Sequence, residues 1–245
     1  MKPPLGRCLL RLFTVQGSWN YERMQGVGFG VAEEPLLRDL RESNGTAYRA
    51  ALARGARFFN AHPYLCGLAV GAAARAEHEG APPEQIERLR IALGGPLGSL
   101  GDRLVWAGWL PLTSGLALAG VALGLGWWAV VAFLALYNTG HVALRWWALR
   151  AGWARGTRVA EALRHPVLQR APALVEPGMA LAMGAALPLA AGYLGAPFPG
   201  WARLTVVGVA GVGLVLLRWP RLGVTGLRFG LGAVAVALVV GWAWR

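Results

Sequence analysis

The chain has 245 residues with a formal charge of +12, a mean hydropathy of +0.44, 56% hydrophobic residues and only 15% charged ones. An ordinary soluble domain is about a quarter charged, so this balance excludes one and indicates a membrane protein. The basic excess does not indicate nucleic acid, because the arginines cluster between apolar stretches, as in the positively charged loops of membrane proteins, and no basic run alternates with aromatics in a polar context.

The acidic residues sit almost entirely in the first part, and beyond Asp102 only Glu161 and Glu176 remain. Residues 1–103 therefore read as an amphipathic helical region and 104–245 as the transmembrane region. The expected fold is an all-α integral membrane protein, with N-terminal amphipathic helices followed by about five apolar spans or re-entrant segments.

Within residues 1–45, apolar groups recur at helical spacing with gaps, as in a segment lying at an interface or on the core. Ser18 is placed to cap a helix whose first turn holds Glu22. Lys2, Arg7 and Arg11 surround only a short apolar patch, so no cleaved leader is expected. Residues 46–59 predict a helix. Pro63 disfavours helical geometry at His62 and is tolerated as the first residue of a following helix that reaches about Glu79. On that helix Gly67, Gly71 and Ala74 form a face of small residues that admits a close backbone neighbour. A further amphipathic helix begins at the prolines of "EGAPPEQIERLRIAL", with Ile86, Leu89 and Leu93 on one side. "GGPLGSLGD" (94–102) is expected to break it.

Residues 104–144 exceed one span of about twenty residues and split near Gly124–Gly126 into a hairpin. Residues 145–170, with six arginines, form a polar segment. Spans three to five follow at 173–195, 204–217 and 222–244. The arginine-rich side, shared by the N-terminal third, 145–170 and Arg218/Arg221, is expected to be cytoplasmic.

Several motifs are open to chemistry. "GVGFG" (26–30) lacks the third glycine of a dinucleotide fingerprint, since Glu33 stands there, and reads as a close-packing segment. Cys8 and Cys66 match no metal spacing and read as apolar fillers. "SWNYERMQ" (18–25) places Asn20, Glu22 and Gln25 among aromatics, the residue types of a sugar site, and the same pattern also fits the solvated face of an amphipathic helix. "FFNAHP" (58–63) offers Asn60 and His62. Neither a second metal ligand nor a nucleophile elbow accompanies His62, and no cofactor motif is present. The pair also fits a helix end that satisfies local backbone. Asp102 closes "GPLGSLGD" either as a helix cap or beside non-helical backbone lining a cavity. Glu176 starts the third span as an interfacial charge or a buried contact.

Taken in order, "SWNYERMQGVGF", "RFFNAHP" and "LGGPLGSLGD" resemble the IID component of the mannose/fructose/sorbose family of the bacterial phosphotransferase system. "LYNTGHVALRWWALRAGWARG" resembles that family's aromatic-basic span end, and "LVEPGMALAMGAAL" the segment after it. The resemblance spans about residues 10–195. It implies a multi-pass subunit of the bacterial inner membrane that forms the pathway of a hexose-type sugar with a IIC subunit, as a hetero-oligomer among membrane lipid. It implies that the subunit itself is non-catalytic and holds no cofactor, with phosphate relayed by cytoplasmic IIA and IIB components. His62 is then expected to bind or position sugar rather than carry phosphate, together with Asn20, Glu22, Gln25, Asn60 and Asp102. Two departures stand out: Ala61 occupies the usual threonine position, and residues 196–203 are short where the family carries a polar insertion. They motivate a second expectation, a shortened IID-like protein with a regulatory or assembly role and no transport.

Overall fold

The computed structural model describes residues 3–195, together with the single helical positions 208, 212 and 232. The chain divides into two compact units, Met1–Leu189 and Ala190–Arg245. The described residues are helical, with no strand among them. Apart from positions 208, 212 and 232, the expected spans at 204–217 and 222–244 lie outside the described residues.

The first unit opens with four helices: α1 (Leu5–Leu12), α2 (Gly26–Ser43), α3 (Gly45–Gly55) and α4 (Cys66–His78). Ser18 caps no helix. Residues 14–25 form turns instead, and α2 begins only at Gly26, because "GVGFG" has the small residues that close packing demands. A methyl group on Gly28 would overlap the Val15 carbonyl, and one on Gly26 the Arg57 carbonyl. Asn44 caps α3 by accepting a hydrogen bond from the Ala47 amide at 3.0 Å.

α4 starts three residues later than Pro63 suggests, because Pro63–Leu65 make a turn in which the Leu65 and Cys66 amides both donate to the His62 carbonyl. It is apolar on all sides and nearly all buried, as expected of a central helix. Its small face meets α7 (Trp127–Arg155) at near-backbone contact. A methyl on Gly71 would lie 2.6 Å from both the Leu149 carbonyl oxygen and the Trp153 nitrogen, and one on Gly152 would overlap the Leu68 carbonyl. Small residues on both partners thus let the two backbones approach, the usual means of tight helix pairing in membranes.

The largest departure from the sequence reading concerns "GGPLGSLGD". Rather than breaking the helix, it lies inside it. α5 (Pro83–Gly101) passes into a π-helical segment (Asp102–Trp109) and then α6 (Leu110–Ala122). Pro83–Ala122 is a continuous 40-residue rod, about 60 Å long at the α-helical rise and about twice the hydrocarbon thickness. Its lower part belongs to the N-terminal bundle and its upper part is apolar enough to span. The compositional division at 103/104 falls within this rod. Asp102 caps nothing, since it stands in mid-helix.

The hairpin forms where expected. Gly124 and Gly126 both have positive φ, at 92° and 53°, and turn the chain from α6 into α7. The arginine-rich 145–170 stretch is not a loop, because α7 runs to Arg155. A short 3₁₀ turn (Gly156–Arg158), α8 (Ala160–Leu163) and the start of α9 (Pro166–Gly195) take up the rest. The expected third span lies within α9. Among the described residues three helical stretches, Pro83–Ala122, Trp127–Arg158 and Ala160–Tyr193, are long and apolar enough to cross a membrane.

Candidate functional site

The three separated motifs meet. Met24 bridges to Asn20 and Phe59, the Gln25 amide donates to the Phe59 carbonyl at 2.8 Å, and the Phe59 amide donates to the Arg23 carbonyl at 3.3 Å. The 18–25 turn is therefore zipped to the 58–62 segment by backbone bonds. From the other side, glycines of the rod press on the same segment. A methyl on Gly94 would be 3.0 Å from the Asn60 carbonyl oxygen, and one on Gly101 would overlap the His62 side chain.

Arg90, buried on α5, locks the junction by donating to the carbonyls of Arg54, Gly55 and Arg57 at the end of α3. The Arg54 carbonyl also accepts from the Arg57 amide at 3.0 Å, so the guanidinium adds to the local turn and ties α5 to the carbonyls at and just beyond the end of α3. It also lies 4.5 Å from the Phe29 ring centroid and 5.9 Å from that of Phe59.

At the centre is His62, 2% exposed. The Tyr64 amide donates to its Nδ1 at 3.2 Å. A nitrogen that accepts carries no proton, so the ring proton is on Nε2. That Nε2–H is buried and has no hydrogen-bond partner among the described residues. Burial, together with the nearby Arg145 and His141, pushes the His62 pKa down to about 4, so the imidazole is neutral at physiological pH. The ring packs between Tyr64 and Trp106, each with a centroid 5.0 Å away.

Gln25 is also 2% exposed. Its Nε2 donates to the Ala61 carbonyl at 2.8 Å, which fixes the amide orientation and leaves Oε1 as an unpartnered buried acceptor. The Ala61–His62 peptide thus carries one unmet donor and has one unmet acceptor held against it.

The remaining sequence candidates take other places. Asn20 is committed to its own turn: Oδ1 accepts from the Glu22 and Arg23 amides at 3.1 and 2.9 Å, and Nδ2 donates to Ser18. Within this turn Met24 adopts φ 51°, the one non-glycine positive φ among the described residues. The Glu22 side chain is 82% exposed beside Arg23, and Asn60 and Asp102 are exposed. Glu176 makes an exposed ion pair with Arg103 at 3.2 Å.

Four residues beside His62 were not candidates from sequence. Tyr64 stacks on His141 (3.9 Å between centroids, 11° between planes), and its hydroxyl is 2.6 Å from that of Tyr137. Arg145 donates from Nε to His141 Nε2 at 2.6 Å and from Nη1 to the Leu12 carbonyl. Tyr137, His141 and Arg145 recur every fourth residue, a polar stripe on an apolar helix, and that period was the available signal. Next to them Tyr64, Trp109, Gly140 and His141 line a cavity of about 150 Å³.

Apolar helices long enough to span, with a buried neutral imidazole and amide near them, define the class as a helical membrane protein. The family model for the mannose/fructose/sorbose-family IID component of the phosphotransferase system matches residues 2–184, and the chain belongs to that family. It is 30% identical over 166 residues to the mannose-specific EIID component of Escherichia coli strain K12, covering 66% of this chain and 58% of that one. It is 33% identical over 170 residues to the sorbose-specific EIID component of Klebsiella pneumoniae, covering 66% and 60%. The chain thus spans less than two thirds of the length of these relatives. Its fold is similar to a chain in the cryo-EM structure of the mannose transporter ManYZ with microcin E492, at a TM-score of 0.60 and 23% identity, over 99% of this chain and 96% of that one.

Proposed function

We propose that the chain is the IID subunit of a phosphoenolpyruvate-dependent sugar phosphotransferase transporter. In this reading it is a multi-pass protein of the bacterial inner membrane that forms the pathway of a hexose-type sugar with a IIC subunit. Its arginine-rich face is cytoplasmic, where IIA and IIB components relay phosphate.

The observation that supports this reading most directly is the pair of unmet polar atoms, His62 Nε2–H and Gln25 Oε1. A hydroxyl both donates and accepts, so a polyol is the ligand class whose polar groups complement one donor and one acceptor. Burial raises the stakes of meeting them, because an unpaired buried polar group costs about 1–3 kcal/mol. In this assignment His62 and Gln25 touch sugar, Asn20 holds the turn that presents Gln25, and the exposed Glu22, Asn60 and Asp102 face sugar or the IIC subunit. A role for His62 as a phosphate carrier is disfavoured by its burial and by the amide bond that occupies Nδ1.

The test is uptake of labelled mannose, fructose and sorbose in a host lacking its own transporters and supplied with this chain and IIA, IIB and IIC components. His62→Ala and Gln25→Ala are expected to abolish uptake while IIC still co-purifies. Uptake unchanged by both substitutions overturns the site assignment. No uptake by the intact set, with altered regulation on deletion of the chain, selects the regulatory reading instead.

A further inference from the structure

His62 can donate from Nε2 only while its proton stays off Nδ1, and a histidine near neutrality otherwise distributes itself between the two nitrogens. The single contact that prevents this is the Tyr64 amide on Nδ1. Anything that holds Tyr64 therefore holds the tautomer.

Tyr64 is gripped from α7. Its ring lies against His141, its hydroxyl meets Tyr137, and the Arg145 guanidinium carbon is 4.8 Å from its ring centroid. Arg145 is the member that ties these together. It also lies 5.1 Å from the Phe13 ring centroid and donates to the Leu12 carbonyl, so one buried side chain clamps the end of α1, the motif turn and α7. Its bond to His141 Nε2 is one-directional, since a guanidinium only donates, and it places the His141 proton on Nδ1. Among the described residues no carboxylate lies within ion-pair distance of it. A buried charge in a spanning helix with no counter-charge calls for a role other than ion pairing.

We propose that Arg145 is a positioning residue for the sugar site: with His141 and Tyr137 it fixes Tyr64, and through the Tyr64 amide it sets His62 as an obligate Nε2–H donor. This rests on the sugar reading above, but its primary readout does not. The full chain, labelled with ¹⁵N-histidine in lipid nanodiscs, reports the tautomer directly, the His62 signals being assigned by their loss in His62→Gln. The intact chain is expected to show a protonated Nε2 and an unprotonated Nδ1. Arg145→Gln is expected to mix the two tautomers, and Arg145→Lys, which keeps a donor and a charge beside the rings, to restore most of the single form. Should Arg145→Gln not fold, Tyr137→Phe removes one hydroxyl from the same grip and is expected to shift the mixture in the same direction. Asn138→Ala, on α7 but bonded only to its own helix, is expected to change nothing. A pure Nε2–H tautomer in every folded variant overturns the proposal, as does equal mixing in Asn138→Ala. In uptake assays Arg145→Gln is expected to raise KM for mannose about ten-fold with little change in kcat, the effect of one weakened hydrogen bond to substrate. If the intact chain moves no mannose, the transport reading fails while the tautomer result still decides the role of Arg145.

Discussion

Replacing Gly101 by alanine puts a methyl group into the space held by His62. The added carbon would lie 2.8 Å from His62 Nδ1 and closer still to the ring and Cβ carbons, whereas carbon contacts are comfortable at about 3.5–4.0 Å. Neither side yields easily, since the rod is backbone and the imidazole is wedged between Tyr64 and Trp106. The rod and the 59–62 segment must part by about 1 Å. Overpacking of this kind costs about 1–3 kcal/mol, and losing the Tyr64 amide bond adds about 1 kcal/mol. Alanine returns about 1 kcal/mol of helix propensity, leaving a net loss of about 1–3 kcal/mol. Gly98, three residues earlier in the same helix, is the internal control. A methyl there meets nothing within 4 Å, so Gly98→Ala is expected to gain about 1 kcal/mol. Unfolding of both variants in detergent, followed by circular dichroism, should separate them by about 3 kcal/mol, and only Gly101→Ala should disturb the His62 tautomer. Equal stabilities for the two variants would refute the packing of the rod against His62.

Three further outcomes are expected. Arg54 and Glu77 form a bidentate ion pair at 2.6 Å, 13% and 8% exposed, so Arg54→Ala should destabilise by about 3–5 kcal/mol and Arg54→Ala/Glu77→Ala by less, as measured by a double-mutant cycle. The depressed His62 pKa, about 4 against 6.5, means the unfolded chain binds this proton more readily. Stability from this residue is therefore complete above about pH 6.5 and falls by up to about 3 kcal/mol towards pH 4, a slope that a stability–pH series on His62→Gln should lack. Asn20→Ala removes the acceptor of two turn amides and should cost about 1–2 kcal/mol, whereas the exposed Glu22→Gln should cost almost nothing in the same unfolding assay.

Glu33 responds to pH in the opposite sense. Burial, helped by Glu77 and opposed by Arg90 and Arg54, lifts its pKa to about 8, so its share of stability is present below about pH 4.5 and is lost as pH rises through about 8.

The helical class, the apolar spans and the hairpin glycines were legible because each follows from a local rule: hydropathy over a window, or a residue that tolerates positive φ. The tight face of α4 was legible for the same reason. The continuity of the rod was not. Four glycines and a proline between residues 94 and 102 argue for a break on propensity alone. Propensity loses here because Gly94 and Gly101 are needed as bare backbone against the 60–62 segment, a contact that sequence distance conceals. The site was half legible. Residue type singled out Gln25 and His62, which the structure buries with one unpartnered polar atom each, but it could not distinguish them from Asn20, which spends its side chain on its own turn. Arg145 was read as one of many loop arginines, because the end of α7 was placed eleven residues too early.

The zipped arrangement of residues 18–25, 58–62 and 94–101 has a bearing on protein engineering. Each strip is held by the backbone of the next, through Met24, Phe59 and the rod glycines, so no strip keeps its shape alone. Chimaeras with the mannose or sorbose relatives that exchange only the middle strip will mismatch both seams, and those that exchange one outer strip will mismatch one. Those that exchange all three, with the intervening helices as one cassette, carry both seams intact and are the chimaeras in which differences between family members can be compared without a packing fault.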